Sequence, residues 1–222
     1  MCGRFVRKSR IDEIVWAFAV DEVAADVAPS YNIAPTQDVV ALIAANGKRR
    51  LGALRWGLIP FWAKEVATGN KMINARAESV MEKVSFRKPF LHQRCLIVAN
   101  GFYEWKRSGT TKVPVYIRLK SDMPFAFAGL YDTWTSPAGE RISSCTILTT
   151  GANELLRDVH HRMPVILNET AQEIWLDRTM KDPAPLQSVL QPYPPDQMEL
   201  FEVSTRVNSV KNDDAGLIEP VS

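Results

Sequence analysis

The apolar positions of this chain fall mainly into short runs of the kind that form β-strands. Two such runs, Asp38 to Ala45 and Arg50 to Trp56, flank the pair Asn46-Gly47, a dipeptide that favours the type I′ turn of a β-hairpin. We therefore predict two paired strands here. β-Branched and aromatic residues predict further strands at Cys95–Ala99, Val113–Leu119, Phe125–Tyr131 and Ser144–Thr149. A polar turn at 137–139 joins the last two.

Helical periodicity is limited to a few segments. A stripe of apolar residues follows Ser9 at helical spacing, which predicts a first helix at about 10–20 with Ser9 as its N-cap. Asn168 precedes another helix-forming segment and predicts a second capped helix, and shorter helices are expected near Ala152 and within the proline-rich stretch 182–195. Because these helices do not alternate regularly with the strands, we expect an α+β fold with a closed or curled sheet.

Composition narrows the class of protein. With 46% hydrophobic and 23% charged residues among 222, the chain can bury a large core, which excludes a disordered protein. No run approaches the roughly 20 apolar residues of a membrane helix, and the first ten residues are cationic, so we expect neither a membrane protein nor an exported one. The net charge of +2 gives no general attraction to nucleic acid, so any anion site must come from local clustering.

The cysteines and histidines do not suggest a metal site. Cys2, Cys95 and Cys145 are widely separated and form no C-x-x-C pair, and the chain has only three histidines. The sequence therefore predicts neither a disulfide framework nor a zinc site, and it gives no reason to expect any other cofactor. A reducing compartment is expected.

Cys2 is the position with the most distinctive chemistry. It follows the initiator Met1, and a small second residue normally allows that methionine to be removed. The exposed residue would carry a thiol and an α-amine on adjacent carbons, both partly available near neutral pH. A 1,2-aminothiol condenses with an aldehyde, first to an imine and then to a thiazolidine. From its position alone, the favoured interpretation of Cys2 is an incidental small residue at a frayed terminus.

Two other segments carry groups suited to proton transfer. Glu104 lies among aromatic and small residues in G-F-Y-E-W, where an apolar surround would raise its pKa, although a strand-end carboxylate facing water fits the segment as well. His160 and His161 precede Arg162 and an apolar run. One imidazole is a candidate general acid, whereas a structural histidine bonded to a carbonyl is the more common role.

The remaining candidates would recognise phosphates, sugars or bases. Arg4, beside the small residue Gly3, is a candidate anion ligand. In N-A-R-A-E, Asn74 could orient a substrate and Arg76 could hold a phosphate, but a surface pair between Arg76 and Glu78 is an alternative. The aromatic segment 56–62 is either core or a stacking wall for unpaired bases.

Together these segments resemble the SOS-response-associated peptidase (SRAP) family, whose members sense abasic sites in single-stranded DNA. The resemblance extends from position 1 to about 212. It is carried, in the family's order, by M-C-G-R-F (1–5), Y-N-I-A-P-T (31–36), W-G-L-I-P-F-W (56–62), I-N-A-R-A-E (73–78), G-F-Y-E-W (101–105), H-H-R-M-P (160–164) and V-S-T-R-V-N-S-V-K-N (203–212).

The resemblance implies an architecture. It is a single α+β domain over residues 1–222, in which bifurcated mixed sheets form a pseudo-barrel with flanking helices and the tail from about 213 is peripheral. A positively charged groove would lead to the N-terminal cysteine. The resemblance also implies a monomer that is cytoplasmic and, in a bacterium, nucleoid-associated when bound to DNA.

The resemblance implies roles for individual residues as well. Cys2 would capture the ring-opened aldehyde of an abasic deoxyribose as a thiazolidine, leaving a DNA–protein crosslink that shields the lesion. Asn74 would position the amine and sugar, Glu104 would act as acid–base, and His160 would protonate the ring oxygen of the sugar. The expected contacts to DNA, which include the flanking phosphates, are Gly3, Arg4, Arg76, Arg162, Trp62 and Trp105.

A second function remains open at this point. The family's peptidase name suggests an N-terminal-nucleophile amidohydrolase, with a thiol peptidase or lyase-type activity, in which Cys2 attacks an amide and its own amine is the base. Three arginines in the matched motifs favour DNA, because an amidohydrolase needs an oxyanion hole rather than a row of cations. One departure from the family is His161, which stands where an aspartate is common and could alter pKa values near His160.

Overall fold

Most of the regular secondary structure is β-strand. The computed structural model describes residues 2–25 and 27–221. In that part of the chain the strands are β1 Phe5–Arg7, β2 Glu22–Val23, β3 Ser30–Ile33, β4 Asp38–Ala45, β5 Lys48–Trp56, β6 Asn74–Arg76, β7 Arg94–Ala99, β8 Gly101–Ser108, β9 Thr111–Leu119, β10 Phe125–Thr135, β11 Arg141–Gly151, β12 Arg162–Pro164, β13 Ile166–Leu167 and β14 Met198–Glu202. The α-helices are α1 Ile11–Ala17, α2 Val84–His92, α3 Glu169–Leu176 and α4 Pro183–Ser188.

The predicted hairpin is confirmed. β4 and β5 pair from Asp38 opposite Arg55 to Ala45 opposite Lys48, and the turn residues Asn46 and Gly47 have φ of 53° and 72°. Two successive positive φ values are the signature of a type I′ turn, whose twist matches that of the strands. The other four strands predicted from apolar runs are also present, each extended by one or more residues.

Helix starts were predicted with mixed success. Asn168 caps α3 as expected, because its Oδ1 accepts the N–H of Ala171 at 2.9 Å. Ser9 as the N-cap of α1 is wrong: the cap is Arg10, whose N–H donates to Glu13 at 2.9 Å, while the buried Ser9 hydroxyl accepts from Asn100. The short helix expected near Ala152 is a series of hydrogen-bonded turns at 154–159.

The larger sheet closes on itself. Its strands run in the order β12-β11-β10-β7-β4-β5-β2, and β11 also pairs in parallel with β5. The pairing of β5 with β11 joins β11, β10, β7, β4 and β5 into a five-stranded barrel, as the expected pseudo-barrel requires. β6 also pairs with β11 in parallel, on the edge of β11 that faces away from β10, so that Thr149 lies opposite Arg76.

The smaller sheet, in the order β14-β9-β8-β1-β3, packs on the barrel. Side chains of β7 alternate between two cores: Leu96 and Val98 pack with the helices, whereas Cys95 and Ile97 pack with residues of the smaller sheet such as Phe102. The first residues of β1 therefore lie between the two sheets.

The C-terminal segment covers the other face of the smaller sheet. Leu217 is fully buried beside Tyr103, Tyr116 and Val207. The tail beyond about 213 was expected to be peripheral, and the burial of Leu217 differs from that expectation.

Helices long and apolar enough to cross a membrane are absent from the part of the chain that the structure describes.

Candidate functional site

Cys2 lies at the entrance to β1, in the core between the two sheets. Its side chain is fully buried, and its Sγ lies 4.0 Å from the carbonyl oxygen of Arg4. Pairing of β1 with β8 places Phe5 opposite Phe102, and this register continues with the N–H of Tyr103 donating to Arg4 at 3.0 Å. Gly3 lies between Cys2 and Arg4, in the segment that leads into β1. A residue at a frayed terminus would not be enclosed in this way.

Glu104 is a buried carboxylate within β8, not a strand-end residue in water. It is 6% exposed, and strand alternation turns it to the same side as Phe102, toward the core that contains Cys2. Burial raises the pKa of the Cys2 thiol well above its ordinary value, and the nearby negative charge of Glu104 raises it further. The thiol is therefore protonated at neutral pH.

Asn74 connects the barrel to the start of β1. It is the first residue of β6, which is held in parallel register against β11. Its Nδ2 donates to the backbone oxygen of Cys2 at 2.8 Å, and its Oδ1 is buried with no hydrogen-bond partner among the described residues. An amide here fixes the backbone of Cys2 and leaves one acceptor available for a donor.

The two histidines are stacked and differ in environment. Their ring centroids are 4.4 Å apart with an interplanar angle of 25°. Nδ1 of His160 lies 2.9 Å from the backbone nitrogen of Arg162 and 3.1 Å from its backbone oxygen. His161 is exposed, and its electrostatic interaction with His160 lowers its pKa. The backbone of Arg162 thus holds the His160 ring in place.

Both terminal nitrogens of the Arg162 guanidinium are bound to protein groups. Nη1 and Nη2 contact the two carboxylate oxygens of Glu78 at 2.8 and 2.9 Å, and Nη2 also donates to the carbonyl oxygen of Thr149 at 2.5 Å. The partner of Glu78 is therefore Arg162 and not Arg76, which corrects the surface pair considered above. Arg76 is exposed, and no ion pair to it exists among the described residues.

Arg4 and Trp105 lie on the other face of the smaller sheet, where they contact the C-terminal segment. Nη1 of Arg4 donates to Asn32 at 2.6 Å and to the carbonyl oxygen of Val207 at 2.9 Å. Nε1 of Trp105 donates to Asn208 at 2.8 Å. The contacts of these two expected DNA ligands are thus contacts that hold the segment 203–212 in place.

Sequence reasoning missed the role of Asn32, which contacts the C-terminal segment. It is 2% exposed on β3, and its Nδ2 lies within hydrogen-bond distance of the carbonyl oxygens of Val207, Ser209 and Asn212. The available signal was a lone amide inside the motif Y-N-I-A-P-T, since a polar residue in a buried strand needs partners.

The aromatic segment 56–62 divides into two parts. Trp56 is fully buried and donates from Nε1 to the carbonyl oxygen of Ile73, next to Asn74. Phe61 and Trp62 are 56% and 46% exposed. The first part is core, and the second remains available to a base.

The structure brings Cys2, Asn74 and Glu104 together and sets His160, Arg162 and Arg76 around the end of β11. Met1 lies outside the described residues. Within 2–25 and 27–221, no cluster of three His, Cys, Asp or Glu side chains could hold a metal ion.

Comparisons with known proteins show the family and the fold of this chain. The family model described as SOS response associated peptidase (SRAP) matches residues 1–210. The chain is 51% identical to the abasic site processing protein YoqW of Bacillus subtilis, over 99% of each chain. It is 32% identical to the abasic site processing protein HMCES of Gallus gallus, over 87% of this chain and 66% of that one. A crystal structure of a protein from Bacteroides thetaiotaomicron superposes with a TM-score of 0.90 and 26% identity, covering 100% of both chains.

Proposed function

Because the chain belongs to the SRAP family, we propose that it processes abasic sites in single-stranded DNA and joins itself covalently to them through Cys2. The mature chain would begin at Cys2, and the product would be a thiazolidine that shields the lesion. In a bacterium, this substrate would locate the protein in the cytoplasm, at the nucleoid.

The observation that carries the proposal is the enclosure of Cys2 by Asn74 and Glu104. A structural cysteine needs neither a hydrogen bond from an amide to its own backbone nor a buried carboxylate nearby. The amide at 2.8 Å fixes the residue whose amine must attack. Oδ1 of Asn74, which has no partner among the described residues, would accept an N–H of that amine.

The chemistry has two steps, a condensation that releases one water and an addition that closes the ring. The amine of Cys2 adds to the C1′ aldehyde of the open sugar, and loss of one water gives an imine. The thiol then adds across the C=N bond, its sulfur bonding to carbon and its proton passing to nitrogen, which closes the five-membered ring. A protonated thiol suits this order because the amine is the first nucleophile and no thiolate is needed until an electrophile is present.

Glu104 and His160 are proposed to move the protons. The carboxylate of Glu104 would accept and return a proton as water leaves and as the thiol adds. His160 would donate a proton to the ring oxygen as the closed sugar opens, and would take it back when the adduct breaks down. We expect Glu104→Gln and His160→Ala to slow crosslinking in single-turnover assays and to leave affinity for undamaged DNA nearly unchanged.

DNA contacts are proposed at Arg76 and Arg162 for phosphates and at the exposed Trp62 for an unpaired base. Arginine suits a phosphate because its guanidinium donates to two oxygens at once. Gly3, next to Cys2, would leave room for the sugar to approach the backbone.

Intact-mass measurement tests the proposal. Protein beginning at Cys2 is incubated with a single-stranded oligonucleotide containing one abasic site, and we expect a mass equal to the sum of the two minus one water. A tetrahydrofuran analogue of the site, which has no aldehyde, should give no adduct.

Two variants identify the nucleophile. Cys2→Ala should give no heat-stable adduct. Cys145 is a buried cysteine on β11, and Cys145→Ala should still form the adduct. An adduct that survives in Cys2→Ala would refute the proposal. Release of an acyl group from a small amide without any DNA adduct would instead support the amidohydrolase.

A further inference from the structure

Glu78 and Arg162 form an ion pair at the point where DNA phosphates are proposed to bind. Glu78 follows β6 and Arg162 begins β12, and both strands flank the end of β11. The pair is bidentate, with Nη1 to Oε1 at 2.8 Å and Nη2 to Oε2 at 2.9 Å. Two parallel N–H···O contacts of this kind are also how a guanidinium binds two oxygens of a phosphodiester.

The rest of the guanidinium is already enclosed by protein. Nη2 donates to the carbonyl oxygen of Thr149 at 2.5 Å and lies 3.2 Å from its hydroxyl. Nε is buried and has no partner among the described residues. The Arg162 side chain is 12% exposed, whereas that of Glu78 is 55% exposed. Of the two groups that bind the terminal nitrogens, the carboxylate of Glu78 is thus on an exposed side chain, whereas Thr149 is buried.

From these contacts we infer that Glu78 is an internal substitute for a DNA phosphate. Its carboxylate occupies the fork of Arg162, the pair of nitrogens Nη1 and Nη2, until a phosphodiester displaces it. The inference rests on the proposed function, because it concerns the same DNA groove. Glu78 would then determine selectivity: isolated anions would not displace it, whereas a strand held at several points would.

The energetics of the pair suit such an exchange. An ion pair with an exposed partner contributes little net stability, so Glu78 can leave at low cost. A buried guanidinium without any partner is unfavourable, so some anion must remain on it. The neighbouring Arg76 is exposed and without an ion pair among the described residues. It can hold a phosphate before the exchange occurs.

Binding of undamaged single-stranded DNA, measured by fluorescence anisotropy at fixed salt, tests the inference without covalent chemistry. Glu78→Gln should bind more tightly than the parent protein, by about fivefold. Glu78→Asp keeps the charge, but its side chain is one methylene shorter and holds the carboxylate back from the guanidinium, so it should also bind more tightly. Weaker or unchanged binding in both folded variants would refute the inference.

Two further measurements separate exchange from simple charge repulsion. Glu82→Gln removes the same charge from an exposed residue without an ion pair among the described residues, and it should change affinity less than twofold. In an Arg162→Gln background, Glu78→Gln should have no effect, because there is no fork to free. A gain that persists in this background, or an equal gain from Glu82→Gln, would show that Glu78 acts only as a repulsive charge.

The crosslinking assay separates this inference from the proposed function. If the parent protein crosslinks to abasic DNA but Glu78→Gln does not bind more tightly, only the exchange is refuted. If Glu78→Gln binds undamaged DNA more tightly but no variant crosslinks, the exchange stands and the covalent function fails. A parent protein that does not bind single-stranded DNA would refute both.

Discussion

Asn74 joins the barrel to the residue that carries the proposed chemistry. Its Nδ2 donates to the backbone oxygen of Cys2 at 2.8 Å. In Asn74→Asp a carboxylate oxygen would replace that donor and face the carbonyl oxygen. We expect the protein to stay folded and crosslinking to slow by roughly five- to a hundredfold, the equivalent of about 1–3 kcal/mol for a lost buried hydrogen bond.

Single-turnover crosslinking to an abasic oligonucleotide measures this effect. Asn70→Asp is the matched control, since Asn70 is exposed and contacts only the side chain of Arg55 at 3.2 Å among the described residues. Equal rates for the two variants would contradict the role assigned to Asn74.

At the scale of elements, the turn of the β4–β5 hairpin shows how much the backbone conformation of one residue, Gly47, contributes to stability. Gly47 has a φ of 72°, and a Cβ added there would meet no atom within 4 Å. Gly47→Ala should therefore destabilise the protein by about 1 kcal/mol through backbone strain alone. Gly52 lies within β5 with equally open space and without a positive φ. Gly52→Ala should be neutral or stabilising, and urea unfolding of both variants is the measurement; equal losses would contradict this account.

The C-terminal segment depends on Asn32 in a comparable way. Three carbonyl oxygens lie 2.7–3.3 Å from its Nδ2. Asn32→Asp would place a carboxylate oxygen among them, and we expect a loss of about 2–3 kcal/mol together with faster hydrogen exchange at 204–221. Asn208→Asp is the control because it keeps the oxygen that accepts from Trp105. Unchanged protection at 204–221 in Asn32→Asp would refute the anchoring role.

For the whole molecule, the three buried thiols predict lower stability at alkaline pH. Burial raises the pKa of Cys2, Cys95 and Cys145, so the folded state keeps protons that the unfolded chain releases above about pH 8.5. Their contribution is complete below that pH. As the pH rises further, stability should fall by about 1.4 kcal/mol per pH unit for each thiol.

Urea unfolding under reducing conditions between about pH 7.5 and pH 9.5 measures this dependence. A folded Cys145→Ala variant, with one thiol fewer, should show a shallower slope. A stability that does not change over this interval would contradict the prediction.

Local patterns in the sequence determined the strands with strong apolar runs, the hairpin turn and the start of the helix that Asn168 caps. The type I′ hairpin and the Asn168 cap follow from backbone preferences that neighbouring residues enforce. The site residues Cys2, Asn74, Glu104 and His160 were identified by chemistry and by family resemblance, because each of them is ambiguous within its own segment.

Tertiary structure decided what nearby sequence does not encode. β1, β2, β3, β6, β12 and β14 were not predicted, since short strands of two to five residues gain their hydrogen bonds from distant partners. The eight-residue β8 was not predicted either. Ser9 lost its expected cap position because Asn100, 91 residues away, binds its hydroxyl. The pairing of Arg162 with Glu78 across 84 residues likewise replaced the local pair with Arg76. Sequence alone determined which groups could react or cap, and long-range packing decided which of them meet, because contact energies between distant segments depend on the folded geometry.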